Sequence, residues 1–422
     1  MKNYLKTLVI GTLFLFVFTL SAKEVDIRGM LRSYTGVGLT TADFIQNEQT
    51  LDLTLEGWGN MTRLVVNPYA YVGIEHEPEI GVREAYVDIF FDQADIRIGK
   101  QAIMWGQAEG AFITDIVSPR DMRSFILADF REIRKGIPAV KADYYAGQYT
   151  FEGIWIPQFV PSSMPSMASP WMREMSLNDS VTIDPGALQP ITLPSLNLEN
   201  SEVFGKVRYF GSKISWELMG GYAWTDEPYV TSIVPSGTPP NVIIDEIHQA
   251  YGRYAVAGGS FSTTLGNMVL RGEAAAYIDK PFTIVQFPSP SPATVENHHQ
   301  VQTLVGLDWS LWGIEMSGQY ILSYIHDYTD GMIDQGRKLK EVSHTMTFRM
   351  QDTYVDDRLT AKLFAYVELD PLNALIRPSL AWSVEDGVIV EGGLELFVGD
   401  ENGTFGHYQT NTLGYISLRW YF

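Results

Sequence analysis

Hydrophobic and polar residues alternate along most of the chain after residue 23. Residues 51–56 read LDLTLE, and residues 416–422 read ISLRWYF. A β-strand sends successive side chains to opposite faces, so each such segment predicts a strand with one apolar face and one polar or mixed face. A soluble sandwich would show much the same pattern with its apolar faces inside. Alternation alone therefore does not separate a sandwich from a membrane barrel.

The spacing of the predicted strands separates these two folds. We predict about eighteen strands, with sixteen as the alternative, near residues 24–34, 49–58, 63–75, 82–91, 95–104, 137–145, 149–158, 202–210, 213–225, 247–261, 267–279, 299–309, 313–326, 339–354, 358–368, 375–384, 388–398 and 411–422. Short turns such as Gly59-Asn60 and Asp386-Gly387 alternate with a second set of connections that contains every long one. The long connections are 36–48, 105–136, 159–201, 226–246, 280–298, 327–338 and 399–410.

A meander produces this alternation when one end of the sheet carries tight turns and the other carries free loops. Aromatic residues also gather near the predicted strand ends, for example Trp58, Tyr145 and Trp420, which is typical of the girdles at membrane interfaces. We therefore predict an all-β fold. It is a closed antiparallel transmembrane β-barrel with long external loops and short periplasmic turns.

The first 22 residues have the features of a secretory signal peptide. Lys2 and Lys6 precede the apolar stretch 8–20, and the small residues Ser21 and Ala22 follow it. An N-terminal membrane anchor is the alternative, but the stretch is short for a bilayer core of about 30 Å. We expect residues 1–22 to be the signal peptide and residues 23–422 to form the barrel, in the cell outer membrane.

Composition and charge exclude several classes of function. The 422 residues include 30 Lys and Arg against 50 Asp and Glu, a formal net charge of −20, which argues against nucleic-acid binding. The chain has no cysteine, which excludes a disulfide scaffold, Cys-ligated zinc, iron–sulfur clusters and thiol catalysis. No nucleophile-elbow, zinc-protease or P-loop motif occurs. We expect no enzyme, metal or cofactor, and keep a barrel hydrolase as a remote alternative.

About eighteen strands enclose a space too wide for side chains alone to fill, so the polar strand faces are expected to line a lumen. Seven charged residues on these faces are candidate lumen-lining residues: Glu84, Asp88, Arg97, Lys141, Arg208, Arg271 and Glu273. They would either pair with one another across neighbouring strands or form a track for a solute.

The connection 105–136 is a candidate constriction, because a loop this long with its own pattern is more often functional than slack. The candidate solute-binding residues in and beside it are Lys100, Asp115, Arg120, Asp121, Arg123, Arg131 and Arg134. Inside the lumen, the arginines would offer paired donors to carboxylate, sulfate or phosphate groups. The alternative is that each arginine pairs with a nearby acid and pins the loop. Residues 121–134 carry a pattern compatible with helical turns, and the Pro-, Ser- and Met-rich loop 159–201 is expected to be external.

The same region resembles a known family. Gly99-Lys100-Gln101, Trp105-Gly106, Ser118-Pro119-Arg120-Asp121 and Gly136-Ile137-Pro138 are similar to motifs of uncharacterised Gram-negative outer-membrane barrels. That family is akin to the alginate-export and substrate-selective porin type. The resemblance implies a barrel of this type and an inner-membrane exporter as a candidate partner.

We therefore expect an outer-membrane channel, or porin, for passive or substrate-selective passage of a small solute that the sequence does not identify. The alternative is a barrel that docks or sheathes an envelope exporter or another partner protein. Expected partners are outer-membrane lipid and lipopolysaccharide. The barrel-assembly machinery is a further expected partner, because the last strand closes on the terminal aromatic Phe422.

Overall fold

The alternating segments form strands. A computed structural model describes residues 24–74, 76–108, 110–127, 132–166, 169–173, 181–184, 186–238, 241–285 and 293–422. The predicted signal peptide lies outside these residues. The strands are β1 (Glu24–Gly38), β2 (Phe44–Trp58), β3 (Thr62–Gly73), β4 (His76–Phe90), β5 (Ala94–Gln101), β6 (Ile137–Ala146), β7 (Tyr149–Ile156), β8 (Val181–Ile183), β9 (Glu202–Phe210), β10 (Ile214–Trp224), β11 (Tyr229–Thr238), β12 (Asn241–Ala250), β13 (Arg253–Leu265), β14 (Met268–Ile284), β15 (Thr294–Leu311), β16 (Ile314–Ile325), β17 (Met332–Asp334), β18 (Arg337–Lys338), β19 (Val342–Tyr354), β20 (Leu359–Leu369), β21 (Leu372–Glu385), β22 (Val388–Gly399) and β23 (Leu413–Tyr421).

Eighteen of the described strands form one closed antiparallel ring, which confirms the predicted barrel and strand number. The ring closes between β1 and β23, with partners running from Met30↔Tyr421 to Gly38↔Leu413. Of the other strands, β8, β11 and β12 form a separate three-stranded sheet, and the short β17 and β18 extend the edge of β14. A 3₁₀ helix, Gly406–Asn411, precedes β23. No helix in the part of the chain that the structure describes is long and apolar enough to cross a membrane.

All long connections lie at one end of the barrel, here the loop end, and the other end, the turn end, carries only short turns. Four connections at the loop end are shorter than predicted. The first two strands extend until residues 39–43 alone join them, so the predicted loop 36–48 is wrong in its bounds. The connections 74–75 and 370–371 are also tight. The predicted connection 280–298 is likewise wrong in its bounds, because β14 extends to Ile284 and β15 begins at Thr294. The predicted strand 247–261 is two elements, because residues up to Ala250 pair with β11 and the barrel strand β13 begins at Arg253.

Burial is inverted relative to a soluble protein. On β23, Ile416 is 58% exposed while the next residue, Ser417, is 1% exposed, and on β22 Glu395 is 1% exposed. Polar side chains therefore face the interior and large apolar side chains face out. Exposed aromatic residues, among them Trp58, Phe210 and Trp420, lie beside the short turns. A closed ring satisfies every strand's backbone while its apolar exterior contacts lipid, which fixes this fold as an outer-membrane barrel.

Candidate functional site

The described residues of the connection between β5 and β6 (102–108, 110–127 and 132–136) lie inside the barrel; we call them the inner segment. Its backbone carbonyls accept hydrogen bonds from Tyr277 of β14 (to Ile113 O, 2.7 Å) and from Arg377 of β21 (to Leu127 O, 3.1 Å). These two strands are on different sides of the ring, and Arg32 of β1 adds a contact of 2.6 Å to Glu132. The inner segment therefore crosses the lumen.

Apolar packing holds the first half of the inner segment against the wall. Ile103, Trp105, Ile113, Ile116 and Val117 are buried in one cluster with inward side chains of β6, β7, β9, β10, β13, β14 and β15. The Trp105 indole donates to Glu152 of β7 at 2.5 Å and meets the Phe204 ring edge-on.

The wall residue Glu273 ties this half down by hydrogen bonds as well. It accepts from the backbone N–H of Gln107 and, at 3.0 Å, from the Thr114 hydroxyl. Arg271 donates to the Gln107 carbonyl at 2.8 Å. The predicted lumen-lining residues Arg271 and Glu273 thus contact the inner segment itself.

The described arginines of the inner segment are paired with carboxylates. Arg134 contacts Asp115 at 2.5 Å. Burial raises the pKa of Asp115, although the charge of Arg134 stabilises the carboxylate and partly opposes this shift. Arg120 contacts Glu227 at 3.1 Å.

The candidate residues Asp121 and Arg123 also form an ion pair, at 2.5 Å, and Arg123 reaches Glu79 at 3.0 Å. Burial opposes the charged form of Asp121, but the hydrogen bonds from Arg123 outweigh it and lower the pKa of Asp121. Lys100 donates to the Val82 carbonyl at 2.5 Å, and Arg131 lies outside the described residues.

The local fold of the second half differs from the helical turns compatible with the sequence. Arg120 and Arg134 form a β-bridge, and the described residues between them hold a turn at 123–126 rather than a helix. Phe125 adopts a positive φ of 55° and lies in an aromatic cluster with Trp171, Phe397 and Tyr408. The β-bridge between Arg120 and Arg134 and the packing of Phe125 into the aromatic cluster thus take the place of the expected helical turns in the described residues.

Part of the predicted external loop 159–201 also lies inside. Ser163 exchanges backbone hydrogen bonds with Arg120 and Met122 (each 2.8 Å), and Trp171 is 4% exposed within the aromatic cluster. Lys135 donates to the Ser163 hydroxyl at 2.9 Å. The Pro- and Ser-rich composition gave no sign of these contacts, because they depend on segments distant in sequence.

The inward charges near the turn end pair across neighbouring strands. Asp88 contacts Arg97 at 2.6 Å and Arg63 at 2.7 Å. Lys141 reaches Glu152 at 3.4 Å. The remaining contacts of the predicted lumen-lining residues are Arg208 with Glu217, Arg271 with Asp308, and Glu84 with the Ala102 N–H (2.7 Å). Such a ladder braces the wall, and the role of these residues in contacting a solute stays a prediction.

A cavity of about 410 Å³ lies between the inner segment and the wall toward the loop end. Its lining includes Asp115 and Arg120 of the inner segment. The loop end contributes Asp226, Glu227, Arg337, Lys340 and Asp370, and the barrel wall contributes Tyr254, Tyr277, Lys280, Gln300, Gln302, Ser323 and Glu368. Several of these charges pair, as in Arg337 with Glu368 (3.2 Å) and Lys340 with Asp370 (2.7 Å). Of this set, sequence reasoning named only Asp115 and Arg120 as site residues. The others come from strands and loops that only the closed ring brings together.

Comparison with known proteins agrees with this fold. Residues 70–385 match the family described as "Protein of unknown function (DUF1302)". No curated protein matches the chain.

Among solved structures, the chain is similar to three proteins of Pseudomonas aeruginosa. OccK2 (OpdF), in complex with glucuronate, has 8% identity and a TM-score of 0.54, with 95% of this chain and 96% of that chain covered. OccK8 (OprE) has 9% identity and a TM-score of 0.54, with 95% and 98% covered. The outer membrane protein opdK has 8% identity and a TM-score of 0.52, with 95% and 99% covered. At such identities the likeness shows the fold alone. The kinship with alginate-export barrels stays a prediction.

Proposed function

The chain belongs to the family described as "Protein of unknown function (DUF1302)", and we propose that it is a substrate-selective channel for small polar solutes in the outer membrane. One observation carries the proposal. The inner segment crosses the lumen and leaves a charged cavity of about 410 Å³ beside it. A solute that passes the barrel must go around the inner segment, so the lining of this passage sets selectivity.

The chemistry of the interior suits weak, reversible binding. A conducting pore needs sites that attract a solute and still release it. Salt bridges such as the one between Asp88 and Arg97 neutralise most inward charges of the wall. A solute in the lumen therefore meets paired charges and neutral polar groups rather than isolated charges that would bind it strongly. The solved structure of OccK2 (OpdF) holds glucuronate. That complex supports the proposal that a barrel of this shape accommodates a small polar molecule.

A barrel that docks a partner protein is the second candidate. The observation in its favour is the amount of apolar packing inside the lumen: one cluster around Trp105 and a second around Phe397. An interior packed in this way would suit a plugged barrel whose function lies at its surface.

Planar-bilayer recording separates the two candidates. The purified barrel is compared with a variant in which residues 107–132 are replaced by a short Gly/Ser linker. We expect discrete open steps from the wild type and larger steps from the variant, because the linker removes the obstruction. A silent wild type with a conducting variant would favour the plugged barrel. Silence of both, with correctly folded protein, would overturn the channel.

A further inference from the structure

Two half-buried ionisable side chains of the cavity have no oppositely charged side chain within salt-bridge distance among the described residues. They are Asp226, in the connection that follows β10, and Lys280, on β14. The other half-buried charges of the cavity are paired, for example Arg120 with Glu227 at 3.1 Å. An unpaired charge inside a barrel costs free energy unless water or a ligand compensates it, so these two groups need explanation.

A β-bulge positions Lys280. The register of β14 against β15 shifts between Tyr277 and Lys280, and the intervening Asp279 has a positive φ of 57°. Bulges re-aim side chains. Here the Lys280 ammonium lies 5.5 Å from the Tyr277 ring centroid and 5.3 Å from that of Phe282, and it donates to the neutral amide oxygen of Gln300 at 3.3 Å. The ammonium is therefore held in the cavity by two aromatic rings and a neutral amide, without a carboxylate beside it among the described residues.

A second, independent feature lies beside Asp226. Tyr254 of β13 is only 7% exposed, and it lines the same cavity. The Asp226 carboxylate lies within electrostatic range of the Tyr254 hydroxyl. The Tyr254 ring lies 5.8 Å from the Tyr277 ring, centroid to centroid. Asp226, the two tyrosines and Lys280 thus follow one another along the cavity, with a negative pole at one end and a positive pole at the other.

We propose that this cavity binds a dipolar solute, whose ammonium group lies at Asp226 and whose carboxylate lies at Lys280. The proposal rests on the proposed channel function and names its substrate class. Aromatic faces attract ammonium groups and pack against the aliphatic part of a solute, which suits the two tyrosines between the poles. Neutral polar groups such as Gln302 and Ser323 complete the lining. Because the poles are two rings apart, the charged groups of the solute must also be separated by several bonds.

The protonation of Asp226 agrees with this arrangement. Removal from water raises the pKa of Asp226 well above its ordinary value. The charges of Glu202 and Glu227 add to the effect, and those of Arg120 and Lys135 oppose it. A bound ammonium would favour the charged carboxylate and offset that shift. Affinity for the ammonium end should therefore increase as the pH rises through the pKa of Asp226.

Equilibrium binding to the whole detergent-solubilised barrel tests the proposal with three probes of similar length. They are 6-aminohexanoate, 1,6-diaminohexane and hexanedioate, measured by isothermal titration calorimetry. The wild type should bind 6-aminohexanoate more tightly than either of the other two. Asp226→Asn should weaken binding of 6-aminohexanoate and of the diamine by about tenfold and leave the dicarboxylate unchanged, since a hydrogen bond to a charged group is lost. Lys280→Gln should weaken binding of 6-aminohexanoate and of the dicarboxylate by about tenfold and leave the diamine unchanged.

Asp245→Asn and Lys362→Gln are matched controls, because both residues are exposed and neither lines the cavity. They should leave all three affinities unchanged. Equal binding of the three probes by the wild type would overturn the proposal even if a variant failed to fold. So would unchanged affinities in both cavity variants. Channel function is scored separately, in bilayers: a silent barrel that binds 6-aminohexanoate refutes the channel and keeps the site, whereas a conducting barrel that binds none of the probes refutes the site.

Discussion

The salt bridge between Arg134 and Asp115 should control how firmly the inner segment stays packed. The two side chains are 11% and 7% exposed and 2.5 Å apart. Asp115 also accepts a hydrogen bond from the backbone N–H of Trp105 at 3.0 Å, so this carboxylate joins the beginning of the inner segment to its end. The substitution Arg134→Gln leaves Asp115 buried without the cation that now neutralises it.

Removing one partner of a buried ion pair costs about 3–5 kcal/mol. Because each 1.4 kcal/mol is a factor of ten, the equilibrium between the packed and released inner segment should shift by about two to three and a half powers of ten. Release of the inner segment from the wall would unblock the lumen. Single-channel recording should therefore show that Arg134→Gln spends a much larger fraction of time in a high-conductance state than the wild type does.

Two measurements check this reasoning. The double variant Asp115→Asn/Arg134→Gln should restore the packed state, because it removes both charges. Burial raises the pKa of Asp115, so its protonated form favours the packed state. In Arg134→Gln, packing should be regained below that pKa and lost as the pH rises through it. If the double variant opened as often as the single variant, the uncompensated charge would not be the cause.

Three further outcomes are expected. Asp88→Asn should lower the free energy of unfolding by about 3 kcal/mol in a denaturant titration followed by tryptophan fluorescence, because the two arginines that share this carboxylate lose its negative charge; an unchanged midpoint would show that water compensates for that loss. Gly110→Ala should cost more than Gly147→Ala in the same titration. Both glycines have positive φ, but a Cβ at Gly110 would lie 2.6 Å from the Tyr366 hydroxyl, whereas nothing lies within 4 Å at Gly147; equal losses would argue against tight packing there. Cation selectivity, measured as a reversal potential, should fall as the pH is lowered through the raised pKa of Asp226, because the cavity loses a negative charge; the variant Asp226→Asn should show less of this change.

How far the candidate site follows from sequence is clearest at the charged residues. The alternating pattern placed Asp88 and Arg97 on the polar faces of two successive strands, and in the structure their side chains are 2.6 Å apart across β4 and β5. The sequence pattern could not show whether the arginines of the inner segment are paired, since Glu227, the partner of Arg120, is about a hundred residues away in the chain. Lys280 was missed because a bulge interrupts the alternation just before it.

The sequence by itself determined the barrel. Alternation follows from the local stereochemistry of extended backbone, and turn lengths are local as well, so both can be read without knowing any distant contact. Only the tertiary structure decided which apolar residues face lipid and which pack inside. Ile154 and Ile156 of β7 resemble lipid-facing residues in sequence, but they are buried against the inner segment. That choice, like the meeting of Asp226, Tyr254 and Lys280 in one cavity, depends on which strands the closed ring brings to the same side of the lumen, and non-local pairing leaves no mark in a local pattern.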